Sequence, residues 1–420
     1  MSREPDISAV AERFGTPLYV YDGGALIGRA DELRRLLHPR LEIFYSLKAN
    51  PNISIAALLR SRGVRAEVSS LAELETALRA GMSPEDIIFL GPGKSGAELQ
   101  AAVDVGCYAI ICESLRELEL IDEIAIRLGT VARVALRVNP SFAVKGSGLT
   151  MGGKPRQFGI DEAQLMSGEP LGKLFRRVRL TGVQIYLGTR ILSEATVVEN
   201  TERILDLAPR VAAYNGFELE MVDVGGGLGV AYFRGEQDLA LDILREKLNQ
   251  VVAEFAAKHP DTRMIMELGR YLVAEAGSFV VRVQYAKTSY GVRFAVADGG
   301  TNHHMAAVGI GSFVRRNFPV RVLNATDRGD AEPWTITGPL CTPNDTLAKD
   351  VLVPPLREGD LVTVERSGAY GPSASPVNFL SHGHPAEVLV LDGEAHLIRE
   401  RDAPDDLLRK QRLIDLKAVE

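Results

Sequence analysis

The first stretch that could carry chemistry is FYSLKANPN, residues 44–52, in which an apolar run ends in Lys48 and the chain then turns. A single lysine at a strand end is commonly a long side chain that buries its methylene groups and keeps its charge in water. A reactive amine would instead need a pocket, a partner for its charge, and a site for an anionic group elsewhere in the chain. The rest of the sequence decides between these two readings.

An anion site is indicated by VDVGGGLGV, residues 222–230. Consecutive glycines let several backbone N–H groups turn toward one anion, and a following helix adds the positive end of its dipole. The alternative is a tight turn that needs positive φ, which glycine also adopts readily. Arg270, one predicted strand later, favours a phosphate site because its planar fork of donors suits a phosphate group.

Glu267 stands three residues before Arg270 and ends another apolar run. A carboxylate buried there is costly unless a cation pairs with it. Arg270 could be that cation, and a protonated ring nitrogen would serve equally. Pyridoxal phosphate needs a lysine for its aldehyde, an anion cradle for its phosphate and an acid beside its ring nitrogen. Lys48, the glycine run and Glu267 together predict this cofactor, attached through Lys48.

These residues require a scaffold that gathers strand ends in one place. Short β-rich runs alternate with longer helical patterns between about residues 40 and 270, which is typical of a parallel sheet. The runs are EIFYSL, VRAEVS, DIIFLG, CYAIIC, ARVALRV, LTGVQIYL, LEMVDV and RMIMEL. This pattern predicts an α/β fold, a closed (β/α)8 TIM barrel over residues 26–275, with an open doubly wound sheet as the alternative.

Polar residues and glycines end nearly every predicted strand. In strand order they are Lys48, Glu67, Gly91–Gly93, Glu113, Arg137 with Asn139, Tyr186–Thr189, Gly225–Gly227 and Glu267–Arg270. In a barrel the carboxyl ends of the strands carry the catalytic residues. We therefore expect these side chains to surround one site.

A second domain is predicted by a change of pattern after about residue 277. FVVRVQYAK, YGVRFAVAD, WTITGPL, LVTVERSG and AEVLVLDGE read as strands with turns and little helix between them. TPLYVYD near the N-terminus reads as a further strand. We expect residues 1–25 and 276–420 to form one all-β domain of sandwich or barrel type.

Composition excludes several classes of protein. The 420 residues carry a formal net charge of −7 and no lysine- or arginine-rich block, which argues against nucleic-acid binding. No apolar run predicts a signal peptide or a membrane span. Three cysteines cannot form a disulfide framework, which favours a reducing cytoplasm. No metal site is expected.

The motifs resemble those of the fold-type III pyridoxal-phosphate decarboxylases, the group that includes diaminopimelate, ornithine and arginine decarboxylases. FYSLKAN resembles the cofactor-lysine motif of that family, and VDVGGGLGV resembles its phosphate loop. ELGR resembles the family's Glu-Pro-Gly-Arg, GPLCTPNDTL its cysteine motif and SGAYGPSASPVNFL its tyrosine motif. The resemblance covers nearly the whole chain, and the motifs occur in family order.

The resemblance implies roles for individual residues. Lys48 would hold the cofactor, Glu67 would support the charged site, and Glu267 would pair with the pyridinium. Cys341 would protonate the carbanion left after decarboxylation and would reach the site of a partner subunit, which implies a homodimer with shared active sites. The implied cofactor-binding set is Lys48, Glu67, Arg137, Tyr186, Thr189, Gly226, Gly227, Glu267, Arg270 and Tyr370.

The sequence departs from the family pattern at three places. Tyr186 and Thr189 stand in a Tyr-Leu-Gly-Thr stretch where the family has His-x-Gly-Ser, and a tyrosine can still stack on the cofactor ring. Thr342 replaces the acid that reads the far end of diaminopimelate, which leaves Asp345 as a polar contact. Arg156 lies in Arg-Gln-Phe-Gly where Lys-Phe-Gly is common. Arg156, Thr342 and Asp345 form the expected substrate-binding set.

These departures resemble a narrower branch of the family that includes the butirosin-pathway decarboxylase of glutamate on an acyl carrier protein. An acid beside the ring nitrogen keeps that nitrogen protonated, which favours decarboxylation over racemisation. We therefore expect a decarboxylase of an amino acid or a carrier-tethered amino-acyl group. The alternative is a diaminopimelate decarboxylase or another decarboxylase of a free basic amino acid, and a racemase ranks below both.

Overall fold

Two units make up the chain: Ala25–Glu275 forms one, and Met1–Gly24 together with Ala276–Glu420 forms the other. The computed structural model describes residues 5–142, 149–308, 316–325 and 328–414. The strands are β1 (Leu18–Asp22), β2 (Leu41–Ser46), β3 (Arg65–Val68), β4 (Ile87–Phe89), β5 (Ala109–Cys112), β6 (Ala132–Asn139), β7 (Leu149–Thr150), β8 (Ile160–Asp161), β9 (Val178–Gln184), β10 (Gly188–Thr189), β11 (Met221–Gly226), β12 (Arg263–Leu268), β13 (Gly277–Ser289), β14 (Val292–Ala297), β15 (Val320–Val322), β16 (Glu332–Thr337), β17 (Thr346–Val353), β18 (Leu361–Val364), β19 (Ala386–Leu391) and β20 (Glu394–Arg399).

Helices cover most of the segments between the strands of Ala25–Glu275. The α-helices of the described residues are α1 (Ile7–Phe14), α2 (Gly23–Leu36), α3 (Ile53–Ser61), α4 (Leu71–Arg79), α5 (Gly96–Val105), α6 (Leu115–Leu128), α7 (Glu162–Leu165), α8 (Glu194–Asn215), α9 (Leu241–Lys258), α10 (Arg270–Val273) and α11 (Pro404–Leu408). None of the helices in those residues has the length and apolar character that crossing a membrane requires.

The predicted closed barrel is confirmed. Strands β2, β3, β4, β5, β6, β9, β11 and β12 pair in that order, and every pairing is parallel. The sheet closes because β12 also pairs with β2, with Met264 opposite Leu41 and Leu268 opposite Tyr45. This last pairing excludes the open doubly wound sheet. All eight strands therefore direct their carboxyl ends toward one rim of the barrel.

Local sequence explains where the barrel helices begin and end. Ser70, Ser95 and Ser114 accept a hydrogen bond from the third residue of α4, α5 and α6 respectively, which satisfies an N–H that the helix cannot. Gly106 and Gly129 end α5 and α6 in the left-handed conformation. The interior is filled by apolar strand residues, including Phe44, Ile88, Leu90, Ala109, Ile111, Ala135, Met221 and Ile265.

The second unit is mainly a β-sheet, which confirms the predicted second domain of strands, and most of its strand pairings are antiparallel. Its main path runs β17-β16-β14-β13-β1-β19-β20, while β18 pairs with β13 and β15. The predicted N-terminal strand, β1, lies inside this sheet, antiparallel to β13 and parallel to β19. Leu18 and Tyr19 of β1 are fully buried there.

Candidate active site

Lys48 lies just beyond the end of β2. The sequence predicts that the strand runs on to this residue, but β2 ends at Ser46 and Lys48 sits in a single 3-10 turn, Leu47–Ala49. Its Nζ lies 2.9 Å from Glu67 Oε2. The Lys48 side chain is 38% exposed, whereas the Glu67 side chain is fully buried. The amine is therefore accessible from outside while its counter-charge is fixed inside the protein.

Glu67, on β3, is held as a carboxylate. Burial alone would raise its pKa, but the charge of Lys48 and hydrogen bonds from Ser46, Lys48 and Ser69 outweigh burial and hold the pKa below its ordinary value. The Ser69 hydroxyl donates to Glu67 Oε1 at 2.8 Å. Glu67 thus supplies a negative charge beside the Lys48 amine.

Glu267, on β12, is 2% exposed and faces the same interior. Gln184, the last residue of β9, donates from Nε2 to Glu267 Oε1 at 2.8 Å. Burial, followed by the charge of Glu67, raises the pKa of Glu267 above its ordinary value. The strand ends have therefore brought together two buried carboxyl groups and one lysine.

A third carboxyl group, Asp223, lies beside Glu267. Asp223 is fully buried on β11, and its Oδ1 accepts a hydrogen bond from Gly225 N at 2.8 Å. Burial and the charge of Glu267 raise its pKa well above the ordinary value. Three acidic side chains thus share this part of the barrel rim.

The glycine run, Gly225–Gly227, lies so close to neighbouring backbone atoms that no larger residue fits. Gly225 and Gly227 have φ of 64° and 83°, in the left-handed region. A Cβ on Gly226 would lie 1.7 Å from the carbonyl oxygen of Glu267, and one on Gly227 would lie 2.1 Å from that of Gly188. The glycine run therefore forms a tight turn, and a run of this kind can also bind an anion through its backbone N–H groups.

Tyr186 and Thr189 reach the glycine run from the loop after β9. A Cβ on Gly225 would lie 2.9 Å from Tyr186 Cδ2, so the tyrosine ring packs directly against the run. Thr189 lies on β10, and two residues later Ile191 N donates to Gly227 O at 2.9 Å. The predicted stacking residue and the predicted phosphate loop are thus neighbours.

Arg270 begins α10, directly after β12. Its Nη1 donates to the Tyr232 hydroxyl at 3.0 Å, and its guanidinium carbon lies 5.4 Å from the centre of the Tyr232 ring. Tyr232 follows the glycine run in sequence. The arginine is therefore oriented by the segment that carries the proposed phosphate loop.

Arg137 forms a buried ion pair with Glu113 and contacts the ring of Phe158. Its Nη1 lies 2.7 Å from Glu113 Oε1, both side chains are nearly fully buried, and its guanidinium carbon lies 4.7 Å from the centre of the Phe158 ring. Glu113 also accepts a hydrogen bond from Gly159 N. These contacts favour a supporting role for Arg137 over the cofactor contact predicted for it. Arg156, nearby in sequence, is exposed.

Cys341, Thr342, Asp345 and Tyr370 belong to the second unit. Cys341 is an exposed free thiol, Thr342 is half-buried beside it, and Tyr370 is half-buried with φ of 56°. Asp345 is 2% exposed and accepts hydrogen bonds from Thr301 N, Thr301 Oγ1 and Leu340 N. Both carboxylate oxygens of Asp345 thus accept hydrogen bonds from residues of the same unit, which favours an anchoring role over the predicted substrate contact.

Sequence reasoning missed Gln184, Asp223 and Ser69 as members of the site. Gln184 and Asp223 each stand alone as a polar residue within an apolar strand, in VQI and VDV. A buried polar residue in such a run needs a partner, and this signal could have singled both out. Ser69 carries no comparable signal, since serine is common after a strand.

The residues at this rim fit pyridoxal phosphate. Lys48 offers an accessible amine, and Glu267 offers a buried carboxyl group for a ring nitrogen. Gln184 Oε1 is a buried polar atom that has no hydrogen-bond partner among the described residues, which suits a site that receives a polar ligand. The glycine run and Arg270 lie at the carboxyl ends of the neighbouring strands β11 and β12.

Comparison with known proteins agrees with this geometry. Residues 24–274 match the family model described as the pyridoxal-binding domain of pyridoxal-dependent decarboxylases. The chain is 41% identical over 416 residues to the L-glutamyl-BtrI acyl-carrier protein decarboxylase of Niallia circulans, covering 97% of this chain and 96% of that protein. It is 31% identical over 401 residues to a diaminopimelate decarboxylase of Helicobacter pylori, covering 95% and 96%.

Solved structures show the same relationship. A crystal structure of the diaminopimelate decarboxylase of Helicobacter pylori complexed with L-lysine superposes with a TM-score of 0.86 at 29% identity, covering 96% of this chain and 98% of that one. The match extends through both units. The chain therefore belongs to the fold-type III pyridoxal-dependent decarboxylases, enzymes that use pyridoxal phosphate to remove a carboxyl group.

Proposed function

We propose that this enzyme removes the α-carboxyl group of an amino-acyl group carried on an acyl carrier protein, with a glutamyl group as the first candidate. The observation that carries the proposal is the 41% identity, over 97% of the chain, to a decarboxylase of a glutamyl carrier protein. Identity to the diaminopimelate decarboxylases is lower, at 31–33% over similar lengths. Thr342 supports the same choice, because it replaces the acid expected to read a distal amino group.

Different residues of the barrel rim would contact different parts of the cofactor. Bound pyridoxal phosphate supplies an electron sink for the carbanion left by carbon dioxide. Lys48 would attach the cofactor, and Glu67 keeps a negative charge beside that amine. Glu267 would pair with the ring nitrogen, and the hydrogen bond from Gln184 orients Glu267. Tyr186 would stack on the ring.

Gly226, Gly227 and Arg270 would hold the phosphate, and Tyr370 stays a predicted phosphate contact. The glycines offer backbone N–H groups, and Arg270 offers a fork of donors oriented by Tyr232. Thr189 and Arg137 border this set. Arg156 and Thr342 remain the predicted substrate contacts, whereas the hydrogen bonds of Asp345 favour an anchoring role. Reduction of the holoenzyme with borohydride should fix the cofactor to one peptide, the one that contains Lys48.

Cys341 acts as the acid that delivers its thiol proton to the α-carbon, in a homodimer where each thiol serves the partner's site. Its exposure on its own chain supports this role. Mixing Lys48→Ala and Cys341→Ala proteins tests it, because one hybrid site then contains both wild-type residues. We expect partial recovery of activity after subunit exchange. Exchange without recovery would show that the sites are not shared.

A substrate panel tests the proposed function. Mass spectrometry should follow loss of a carboxyl group from glutamyl-loaded carrier protein beside free diaminopimelate, ornithine, lysine and arginine. We expect turnover of the tethered substrate and little of the free amino acids. Efficient turnover of free diaminopimelate alone would restore the alternative, a diaminopimelate decarboxylase. Interconversion of D- and L-isomers without carbon dioxide would indicate a racemase. We also propose a cytoplasmic location, because three cysteines cannot form a disulfide framework.

A further inference from the structure

The arrangement of Asp223 and Glu267 raises a problem of charge. Both side chains lie on adjacent strands, β11 and β12, and both are almost fully buried. Their carboxyl groups are hydrogen-bonding neighbours. Two ionised carboxylates cannot hydrogen-bond to each other, because neither has a proton to donate.

The surroundings of Asp223 show which group needs the proton. Asp223 Oδ1 accepts from Gly225 N, but no N–H or O–H donor of the described residues faces Asp223 Oδ2. An ionised Asp223 would leave that buried oxygen unsatisfied unless Glu267 carried the proton, and a neutral Glu267 could not balance the charge of the ring nitrogen. Glu267 receives a hydrogen bond from Gln184, which favours its ionised form.

The nearby charges lead to the same assignment. Glu67 and Lys48 are the other charged groups that act on this pair, and they form an ion pair with each other. Lys48 is thus balanced by Glu67. Among the described residues, none forms an ion pair with Asp223 or Glu267, so two negative charges there would be balanced only by a protonated ring nitrogen, and one cation balances only one carboxylate.

We propose that Asp223 is a permanently protonated carboxylic acid that donates its proton in a hydrogen bond to Glu267, so that Glu267 alone faces the cofactor ring as a carboxylate. Asp223 is then a positioning residue that stabilises the ionised form of Glu267 and fixes its orientation together with Gln184. This inference rests on the proposed role of Glu267 toward the ring nitrogen.

The protonation of Asp223 can be observed without turnover. Infrared spectra of the cofactor-free full-length chain should show the carbonyl band of an un-ionised carboxyl group. The spectra belong at a pH well above the value of about 7 to which burial and the charge of Glu67 raise the pKa of Glu73, so that Glu73 does not contribute. We expect the band in the wild type and in Glu73→Gln, and its loss in Asp223→Asn. No band in the wild type, or a band that survives Asp223→Asn and disappears in Glu267→Gln, would overturn the assignment.

Catalysis gives a second readout in the holoenzyme. Asn at position 223 can still accept from Gly225 N and donate to Glu267, whereas Leu can do neither. We expect Asp223→Leu to lower kcat at least about tenfold and to move the acid limb of the kcat profile up by about one pH unit, because Glu267 loses a donor that favours its ionised form. Asp223→Asn should restore the limb to its wild-type position and most of kcat. An Asn variant as impaired as the Leu variant would overturn the proposal.

The two proposals fail in different ways. If Glu267→Gln kept full activity and the wild-type absorption of the bound cofactor, the role of Glu267 toward the ring would be wrong, while the infrared result for Asp223 would stand. If Glu267→Gln abolished activity but the infrared band were absent, only the protonation of Asp223 would be wrong.

Discussion

At the scale of single residues, the two ends of the Lys48–Glu67 ion pair differ in their access to water. The Lys48 side chain is 38% exposed and that of Glu67 is fully buried. Removing one partner therefore has unequal consequences, because the ammonium can be rehydrated and the carboxylate cannot. This asymmetry suits a lysine that must exchange one partner for another while its counter-charge stays in place.

A double-mutant cycle in the cofactor-free protein tests this asymmetry. Lys48→Met should lower the free energy of unfolding by about 3 kcal/mol, because it leaves the Glu67 carboxylate buried and unpaired. Glu67→Gln should cost about 1 kcal/mol, because the amide keeps a hydrogen bond to Ser69 and Lys48 turns to solvent. Urea unfolding at neutral pH gives both values.

The double variant Lys48→Met/Glu67→Gln is the matched control. It removes both charges together and should be more stable than Lys48→Met alone, which would give a coupling free energy of about 1 kcal/mol or more. Equal losses from the two single variants would show that burial does not distinguish the partners.

At the scale of the elements, the segment Thr301–His304 is buried and carries two imidazoles. His303 contacts Gly383 O at 3.1 Å and His304 contacts Ser367 Oγ at 3.0 Å, both through Nε2. Burial lowers the pKa of His303 from 6.5 to about 4 and that of His304 to about 3. Both rings are therefore neutral in the folded protein at neutral pH.

Acid should destabilise the protein through these histidines. A histidine whose folded-state pKa is depressed contributes stability that is complete above the unfolded value of 6.5 and is lost as the pH falls toward the folded value of about 4. His303→Gln should reduce the loss of unfolding free energy across this window by about 1.4 kcal/mol for each pH unit. Urea unfolding across the window measures it. A His303→Gln protein with the same slope as the wild type would show that this buried ring is not the cause.

The glycine run gives a second prediction at this scale. Gly226→Ala should destabilise the cofactor-free protein by about 3 kcal/mol or more, because the new Cβ would overlap the backbone carbonyl of Glu267. Gly216→Ala, at the end of α8, introduces a Cβ with no atom within 4 Å and φ of 69°, and should cost about 1 kcal/mol. Thermal unfolding compares the two. A tolerated Gly226→Ala would mean that strands β11 and β12 can separate locally.

Patterns of apolar residues were sufficient to predict the eight barrel strands, because each is a short apolar run, whereas β15, β17 and β20 of the second unit were not predicted. They were insufficient for the site. Lys48 was placed on the strand because nothing in FYSLK separates the last strand residue from the 3-10 turn. The pairing of Asp223 with Glu267 depends on strand register, and that register shifts between Asp223 and Gly226. A shift of one residue reverses which face a side chain occupies, so sequence alone could not bring these carboxyl groups together.

At the scale of the whole molecule, the chain divides so that its first residues belong with its last. Residues Met1–Gly24 join the unit formed by Ala276–Glu420, and β1 lies between β13 and β19. Removing β1 would leave the facing edges of both neighbours without a partner.

Deletion of residues 1–22 should therefore weaken the second unit. We expect faster hydrogen exchange at the amides of β13 and β19, with much less change in the barrel strands β3–β5. Deletion from Pro404 onward is the control, because α11 contains no buried residue, and it should leave exchange in β13 and β19 unchanged. Unchanged protection after removal of residues 1–22 would show that β1 is dispensable for this sheet.

The position of β1 also has a consequence for how the protein is made. Translation delivers β1 before the barrel, yet both of its sheet partners, β13 and β19, leave the ribosome only after the entire barrel has been synthesised. While the nascent barrel folds, the short apolar tail Leu18–Tyr21 therefore has no strand partner. Pro17 and Asp22 flank this tail, and a proline and a charge at such places oppose the strand-to-strand association that leads to aggregation. Closure of the second unit's sheet around β1 is then the last step of vectorial folding, and a chaperone that holds short apolar tails would act in the interval before it.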